Sequence, residues 1–309
     1  MIDEALNNLL SQKTLSETDA YAVFESMTDG SLGPVRTAAV LTLLRIKGEQ
    51  PSEIAGAARV LRNRSLKVLA ARQPVCDTCG TGGDGSGTFN ISTAAALVCA
   101  ACGVTVAKHG NRSVTSRCGS ADVMEHLGYP LSLSAEASSR VLEKTGFVFL
   151  FAPRHHEAMK NVADVRKQLG FRTIFNIVGP LCNPAGATVQ TMGVNEERLL
   201  AVVAPVFRKL GISGYVFHSE DGLDEISIAG RTLAVRVSRR GLVREEIYPG
   251  MLGVRPCRTE DLAGGGPADN AALLRDILAG RERGPRRDAV CVNAAALLVA
   301  AAKARDLVR

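Results

Sequence analysis

Five of the eight positions from residue 80 to residue 87 are glycine, namely Gly80, Gly82, Gly83, Gly85 and Gly87. The segment follows a short apolar run and leads into an alanine-rich stretch that begins at Ile91. Glycine at that density gives up backbone entropy that an ordinary turn has no reason to give up. In return, consecutive backbone N–H groups can turn inward with no Cβ in the way. The helix start that follows offers further amides and the positive end of its dipole. The segment therefore predicts a loop that cradles a phosphate or a similar anion.

The details around the loop remove two common readings. Gly80, Gly82 and Gly85 satisfy G-x-G-x-x-G, but a dinucleotide site also needs an acidic residue about 20 positions further on, and none stands between Asp84 and Asp122. A nucleotide triphosphatase loop would close with Gly-Lys-Ser or Gly-Lys-Thr, whereas this one closes with Phe89-Asn90-Ile91-Ser92-Thr93. A second polar stretch runs from Lys108 to Asp122. It interleaves three cations, Lys108, Arg112 and Arg117, with four hydroxyls, Ser113, Thr115, Ser116 and Ser120. Cations and hydroxyls donate to phosphate oxygens, and Gly110 and Gly119 allow backbone amides to approach. The stretch reads as a second grip on the same anion.

Of the eight cysteines, Cys76-x-x-Cys79 and Cys99-x-x-Cys102 have the spacing of a four-cysteine zinc site. The residues between them form the glycine loop and a helix, not a knuckle, so free thiols in a reducing compartment are the better expectation. A net charge of +6 calls for anionic partners. With no Trp and 4% aromatic residues the chain lacks stacking platforms, so nucleic acid is not expected. The start, Met1-Ile-Asp-Glu-Ala-Leu6, does not read as a secretory signal. The nearest approach to a long apolar run, Ala294 to Ala302, is too short to span a bilayer. No membrane association and a cytoplasmic location are the expectations.

Periodicity and caps predict helices over Ile2–Leu10, Ser16–Met27, Pro34–Ile46 and Ser52–Arg64. Farther along, Val104–Ala107, Phe147–Phe151, Val189–Val194 and Tyr215–His218 read as strands, separated by helices around Ser92, Ser120, Ala135, Arg154 and Arg198. That alternation predicts parallel strands with crossover helices. Glu225–Ala229, Thr232–Val237 and Leu242–Tyr248 read as an antiparallel addition, followed by helices near Asn270–Leu278 and Asp288–Leu307. The expected class is α/β, with a small all-helical domain over residues 1–70. A larger α/β domain with a mostly parallel central sheet follows over residues 71–309.

Several stretches together resemble one family. They are Gly80-Thr-Gly-Gly-Asp84, Asn90-Ile-Ser-Thr93, Lys108-His-Gly-Asn-Arg-Ser113, Gly119-Ser-Ala-Asp122, Val165-Arg166, Gly170-Phe-Arg-Thr-Ile-Phe-Asn176, Gly179-Pro-Leu181, Asn183-Pro184 and Asp221-Gly-Leu-Asp-Glu225. In their order and spacing they resemble the anthranilate phosphoribosyltransferases of tryptophan biosynthesis. The resemblance implies a fold of the nucleoside phosphorylase and phosphoribosyltransferase type, with a helical excursion near residues 165–184 joining the small domain. It implies a homodimer, and an end shortened by a helix or so at Arg309.

It also implies the reaction, transfer of phosphoribosyl from 5-phosphoribosyl 1-pyrophosphate to the amine of anthranilate. Gly80, Gly83, Asp84, Thr88, Asn90, Ile91, Ser92, Thr93, Lys108, Gly110, Asn111, Arg112, Ser113, Val114, Thr115, Ser116 and Ser120 are the implied sugar diphosphate residues. Mg2+ is implied at Ser92, Asp224 and Glu225. Arg166 would meet the anthranilate carboxylate, and His109 would either hydrogen-bond the amine or shape its loop. Two rivals share parts of this pattern. A nucleoside phosphorylase would use the same glycine loop with inorganic phosphate. A non-catalytic nucleic-acid binder would be expected to lose the Asp224-Glu225 pair and Asn90-Ile-Ser-Thr93.

Overall fold

The computed structural model describes residues 2–113 and 117–308. Four helices come first: α1 (Ile2–Leu10), α2 (Glu17–Thr28), α3 (Pro34–Lys47) and α4 (Pro51–Arg64). Their ends follow local chemistry. The Ser16 hydroxyl accepts from Asp19 N at 3.0 Å to cap α2, and Pro34 occupies the first turn of α3. Glu53 fastens the group. It accepts from Leu15 N at 3.0 Å, Gln50 N at 2.8 Å and Lys47 Nζ at 2.9 Å, and both partners of the ion pair are buried.

The sheet follows as β1 (Val75–Gly80), β2 (Thr105–Gly110), β3 (Phe147–Phe151), β4 (Val189–Gly193), β5 (Ser213–Ser219), β6 (Thr232–Ser238) and β7 (Gly241–Ile247). Its order is β3-β2-β1-β4-β5-β6-β7, parallel from β3 to β5 and antiparallel at β6 and β7. The intervening helices are α5 (Ile91–Ala101), α6 (Ser120–His126), α7 (Ala135–Thr145), α8 (Ala152–His155), α9 (Lys160–Leu169), α10 (Phe175–Val178) and α11 (Arg198–Lys209). After β7 come α12 (Pro267–Leu278) and α13 (Pro285–Ala300). The chain runs outward from β1 through β2 to β3 and then returns to lay β4 on the other side of β1. That reversal opens a crevice at the carboxyl ends of β1 and β4, the place where open α/β sheets bind ligands.

Successive strand residues serve opposite cores, as the pleat requires. Val216, Val235 and Val237 join α1–α4, α9, α10 and α11 in one cluster, while Tyr215, Phe217 and Ala234 pack with α5, α12 and α13 in another. Phe24 of α2 meets Phe175 of α10 edge to face, with centroids 5.6 Å apart, so the 160–178 helices belong to the same core as the first four.

Three expectations need correction. Residues 225–229 are not a strand, because side-chain oxygens take the amides a ladder would use. Ile226 N donates to Asn293 Oδ1 at 2.9 Å, and Ser227 N to Thr232 Oγ1 at 3.0 Å. The last helix ends at Ala300, not Leu307, with Ala302 at φ +57°. The helix around Arg154 is the four-residue α8, and the longer helix begins at Lys160.

Candidate active site

The crevice is floored by two glycines facing each other across the sheet. Gly80 ends β1, Gly193 ends β4, and the two are register partners. A Cβ at either would collide with Asp224, at Gly80 with its carboxylate and at Gly193 with its backbone. Only glycine lets the 221–225 turn lie directly on the strand ends. Gly82 N then donates to Asp224 Oδ2 at 2.7 Å.

From there the loop climbs with positive φ at Gly82, Gly83, Gly85 and Gly87. Among the described residues, the N–H groups of Gly83, Asp84, Gly85 and Gly87 have no protein acceptor. Four unpaired amides in a left-handed, glycine-rich path form a nest for an anion. Ser86 Oγ donates to Asp84 Oδ2 at 2.6 Å and lies 3.3 Å from Thr88 Oγ1, which sets the far side of the loop.

The start of α5 departs from the simple picture of open helix amides. Ser92 N donates to Glu225 Oε1 at 3.1 Å, and Ile91 N and Thr93 N bond Phe89 O and Asn90 O. A carboxyl of the protein already caps this helix end, so a phosphate reaches it only with a cation between the two. Glu225 is buried and Asp224 half-buried, and desolvation pushes both carboxyls above the ordinary carboxylate range. Asp84 adds repulsion at Asp224, and Asp224 adds it at Glu225. Adjacent carboxylates with a hydroxyl nearby supply the oxygen ligands that a hard divalent cation takes. Among the described residues no three His, Cys, Asp or Glu side chains make a closed cage, which suits an ion that takes its remaining ligands from substrate phosphates.

Lys108 lies beneath this layer. It is 2% exposed, and its Nζ donates to Thr78 O at 2.6 Å and to Ser92 Oγ at 3.3 Å. Its charge stabilises the Asp77 and Glu225 carboxylates. Asp77, wholly buried on β1, accepts from Asn183 Nδ2 at 2.8 Å and His109 N at 3.2 Å, and burial still pushes its pKa up to about 6. These contacts pin Asn183-Pro184 and β2 to the central strand.

Two imidazoles adjoin this floor. The ring centroids of His109 and His156 lie 5.1 Å apart with the planes tilted by 57°. Both are buried, and His109 Nε2 and both ring nitrogens of His156 make no well-formed hydrogen bond among the described residues. Burial first, and then neighbouring imidazoles, holds His109 well below the ordinary histidine range and His156 down at about 4. The pair is neutral at physiological pH and suited to hydrogen bonding, not to carrying charge.

The structure gathers Gly80, Gly83, Asp84, Thr88, Asn90, Ser92, Thr93, Lys108, Asp224 and Glu225 around one crevice. Thr93 is wholly buried, and Ile91 contributes only backbone because its side chain is in the core. Gly110 touches Ser120, whose hydroxyl donates to Asn111 O at 3.3 Å. Asn111 Oδ1 is taken by Arg112 N at 2.8 Å, and Asp122 Oδ2 accepts from Ser113 N at 3.1 Å. The Arg112 guanidinium is held by Asp122 and Glu125 at 2.8 and 2.9 Å. Val114, Thr115 and Ser116 lie outside the described residues. Arg166, on α9, places its guanidinium 5.4 Å from the Phe175 ring centroid and has no hydrogen-bond or carboxylate partner among the described residues. The cysteine quartet is not assembled. Cys76 and Cys99 lie in one core cluster, Cys79 abuts Gln190 and Pro180, and Cys102 is exposed.

Sequence reasoning passed over Arg172. Its Nη2 donates to Thr81 O at 3.0 Å, and its guanidinium lies against Gly83 so closely that a Cβ there would strike it. Asp224, Glu196 and Asp84 all support its charge. The available signal was its place in the Gly170–Asn176 stretch, just past the glycine that ends α9.

Residues 3–65 match the helical bundle domain of a glycosyl transferase family, and residues 72–309 match that family's a/b domain. With the crevice described above, this defines the chain as a two-part glycosyl transferase. An anthranilate phosphoribosyltransferase of Pelotomaculum thermopropionicum is 49% identical over 99% of this chain and 89% of its own length. One of Anaeromyxobacter sp. is 47% identical over 99% of this chain and 91% of its own. The crystal structure of anthranilate phosphoribosyltransferase from Thermus thermophilus superposes with a TM-score of 0.93 at 44% identity, covering 98% of this chain and 91% of the other. The Saccharomyces cerevisiae enzyme in complex with PRPP and Mg gives 0.88 at 28% identity, over 97% and 88%. The chain belongs to the anthranilate phosphoribosyltransferase family.

Proposed function

We propose that the protein transfers the phosphoribosyl group of 5-phosphoribosyl 1-pyrophosphate to the amine of anthranilate and releases pyrophosphate. The observation that carries this reading is the row of amides at Gly83, Asp84, Gly85 and Gly87, unpaired among the described residues, above the Asp224–Glu225 pair. An anion cradle beside an acidic, oxygen-lined pocket suits a diphosphate bound together with a divalent cation.

In this reading Gly80, Gly83, Asp84, Thr88, Asn90, Ile91, Ser92, Thr93, Lys108, Gly110, Asn111, Arg112, Ser113 and Ser120 form the sugar diphosphate site, joined by Val114, Thr115 and Ser116. The free loop amides receive phosphate oxygens. Lys108, already bonded to Thr78 O and Ser92 Oγ, serves as a buried counter-charge that orients the Ser92 hydroxyl. Ser92, Asp224 and Glu225 would hold Mg2+, which when bound neutralises the departing pyrophosphate.

Loss of that anion leaves positive character at the ribose carbon, so catalysis consists mainly of stabilising the leaving charge and holding the amine in line. An aromatic amine is neutral at physiological pH and needs no strong base. The neutral His109 can accept or donate one hydrogen bond at this end of the crevice. Arg166 receives the anthranilate carboxylate. A half-buried guanidinium over a ring, with no carboxylate of its own, is ready for a bidentate partner.

The reading includes a division into a helical part, residues 1–70 with 165–184 associated, and an α/β part over 71–309. It includes a homodimer through the helical part, which Leu10, Val35 and Ile46 support as exposed apolar side chains of α1 and α3. No helix of the described residues is long and apolar enough to cross a membrane, and the proposed location is the cytoplasm. The test is to mix purified protein with magnesium, phosphoribosyl pyrophosphate and anthranilate and follow anthranilate fluorescence. Loss of signal that requires all three components is expected, and a steady signal with folded protein refutes the reading.

A further inference from the structure

Two carboxamides lie in series behind the glycine loop. Gly265 N donates to Asn270 Oδ1 at 2.8 Å, Asn270 Nδ2 donates to Asn90 Oδ1 at 3.0 Å, and Asn90 Nδ2 donates to Cys118 O at 3.1 Å. The relay starts at a backbone N–H and ends at a backbone carbonyl, so fixed groups dictate which way both amides face. Asn270 is 2% exposed. Asn90 stands at the N-cap of α5, where its side chain would ordinarily bond the helix, yet it makes no cap bond because the relay takes it.

The same segment grips the loop through its backbone. Phe89 N donates to Leu262 O at 3.2 Å, Gly264 N donates to Gly87 O at 2.9 Å, and Thr88 bridges Ala263. A Cβ on Gly264 would sit 2.7 Å from Phe89 backbone atoms, so the two segments touch with no side chain between them.

We propose that Asn270 is a positioning residue for the sugar diphosphate: with the 262–265 segment it fixes Gly87 to Asn90 in the conformation that binds. It touches no reacting atom and acts through Asn90 and the loop backbone. The proposal rests on the reading of the glycine loop as the phosphoribosyl pyrophosphate site.

Asn270→Asp keeps the shape and the acceptor for Gly265 N but sets an oxygen against Asn90 Oδ1. Asn270→Ala removes both bonds. Gly264→Ala keeps both carboxamides but wedges the two backbones apart, and its Cβ also presses on Asn270 Oδ1 at 3.0 Å. For each variant, KM is measured for both substrates, phosphoribosyl pyrophosphate with magnesium is titrated by calorimetry, and the unliganded protein is melted.

The expected result is an increase of about tenfold in both KM and Kd for phosphoribosyl pyrophosphate, with the anthranilate KM within about twofold of wild type. Unchanged diphosphate affinity in folded Asn270→Asp overturns the proposal, as does an equal rise in both KM values. If Asn270→Ala does not fold, Asn270→Asp and Gly264→Ala decide by the same split. A wild type that registers no diphosphate binding instead sinks the underlying site assignment, and this proposal with it.

Discussion

Gly83→Ala tests the cradle most directly, because Gly103 supplies a matched control. Gly83 has φ +73° and Gly103 has φ +81°, so alanine in either place carries the left-handed penalty of roughly 1–2 kcal/mol. Their surroundings differ. A Cβ at Gly103, in the turn from α5 to β2, meets nothing within 4 Å, whereas one at Gly83 runs into the Arg172 guanidinium. At Gly103 the strain is present with and without ligand, so it cancels from affinity and appears as lost stability.

At Gly83 the loop amides have no acceptors among the described residues, and the unliganded segment can relax away from the strained conformation. The strain then falls on binding, together with the displacement of Arg172 from Thr81 O. At about 1.4 kcal/mol per decade, 1–2 kcal/mol corresponds to roughly a five- to thirty-fold weaker Kd for phosphoribosyl pyrophosphate. Calorimetry with saturating magnesium measures this, and thermal melts of both variants report stability. If both variants weaken binding alike, or Gly83→Ala leaves it within about twofold, the cradle is not where the diphosphate sits.

Arg166→Ala should raise the anthranilate KM by about 10–100-fold, the scale of a lost charge-assisted hydrogen bond, and leave the diphosphate KM nearly unchanged; steady-state kinetics with each substrate varied decides it. The raised Glu225 carboxyl fixes a sign. The unliganded fold holds its proton more tightly than the unfolded chain, so this group's stability contribution is full below the ordinary carboxylate pKa and is lost as pH rises through the folded value. Magnesium prefers the ionised pair, so its affinity should rise over the same pH interval. Glu225→Gln should flatten both trends in pH-dependent melts with and without magnesium, and persisting trends would count against the assignment. Lys47→Met strands Glu53 in the helical core and should destabilise the protein by about 3–5 kcal/mol, with the diphosphate Kd of the folded fraction unchanged; denaturant melts and calorimetry check the two halves of that statement.

What was legible in the sequence depended on whether the signal was local. Helices α2 and α3 carry their own caps at Ser16 and Pro34, and the glycine loop announces its backbone chemistry in eight residues. Strand β1 is less readable, because Asp77 and Thr78 look too polar for a central strand. Asn183, 106 residues away, and the His109 amide make Asp77 tolerable there. Arg172 and Asn270 went unnoticed for the same reason, since their distant partners Thr81 and Asn90 are set by tertiary structure. Arg112 shows the converse. Its composition marks it as a phosphate ligand, and only the fold reveals that Asp122 and Glu125 already hold it.

The Phe24–Phe175 contact has a consequence for dissection of the chain. The bundle is stitched from two stretches, one ending near Arg64 and one running from Lys160 to Leu181, and the central strand β1 lies between them in sequence. Scission in the 65–74 connector would not yield two autonomous pieces. The trunk would keep Val162, Val165, Ile174, Phe175 and Ile177 as a bare, water-averse saddle, and the severed helices would lose the surface on which they rest. Such halves belong together, and complementation between co-expressed fragments is the behaviour this interlacing favours.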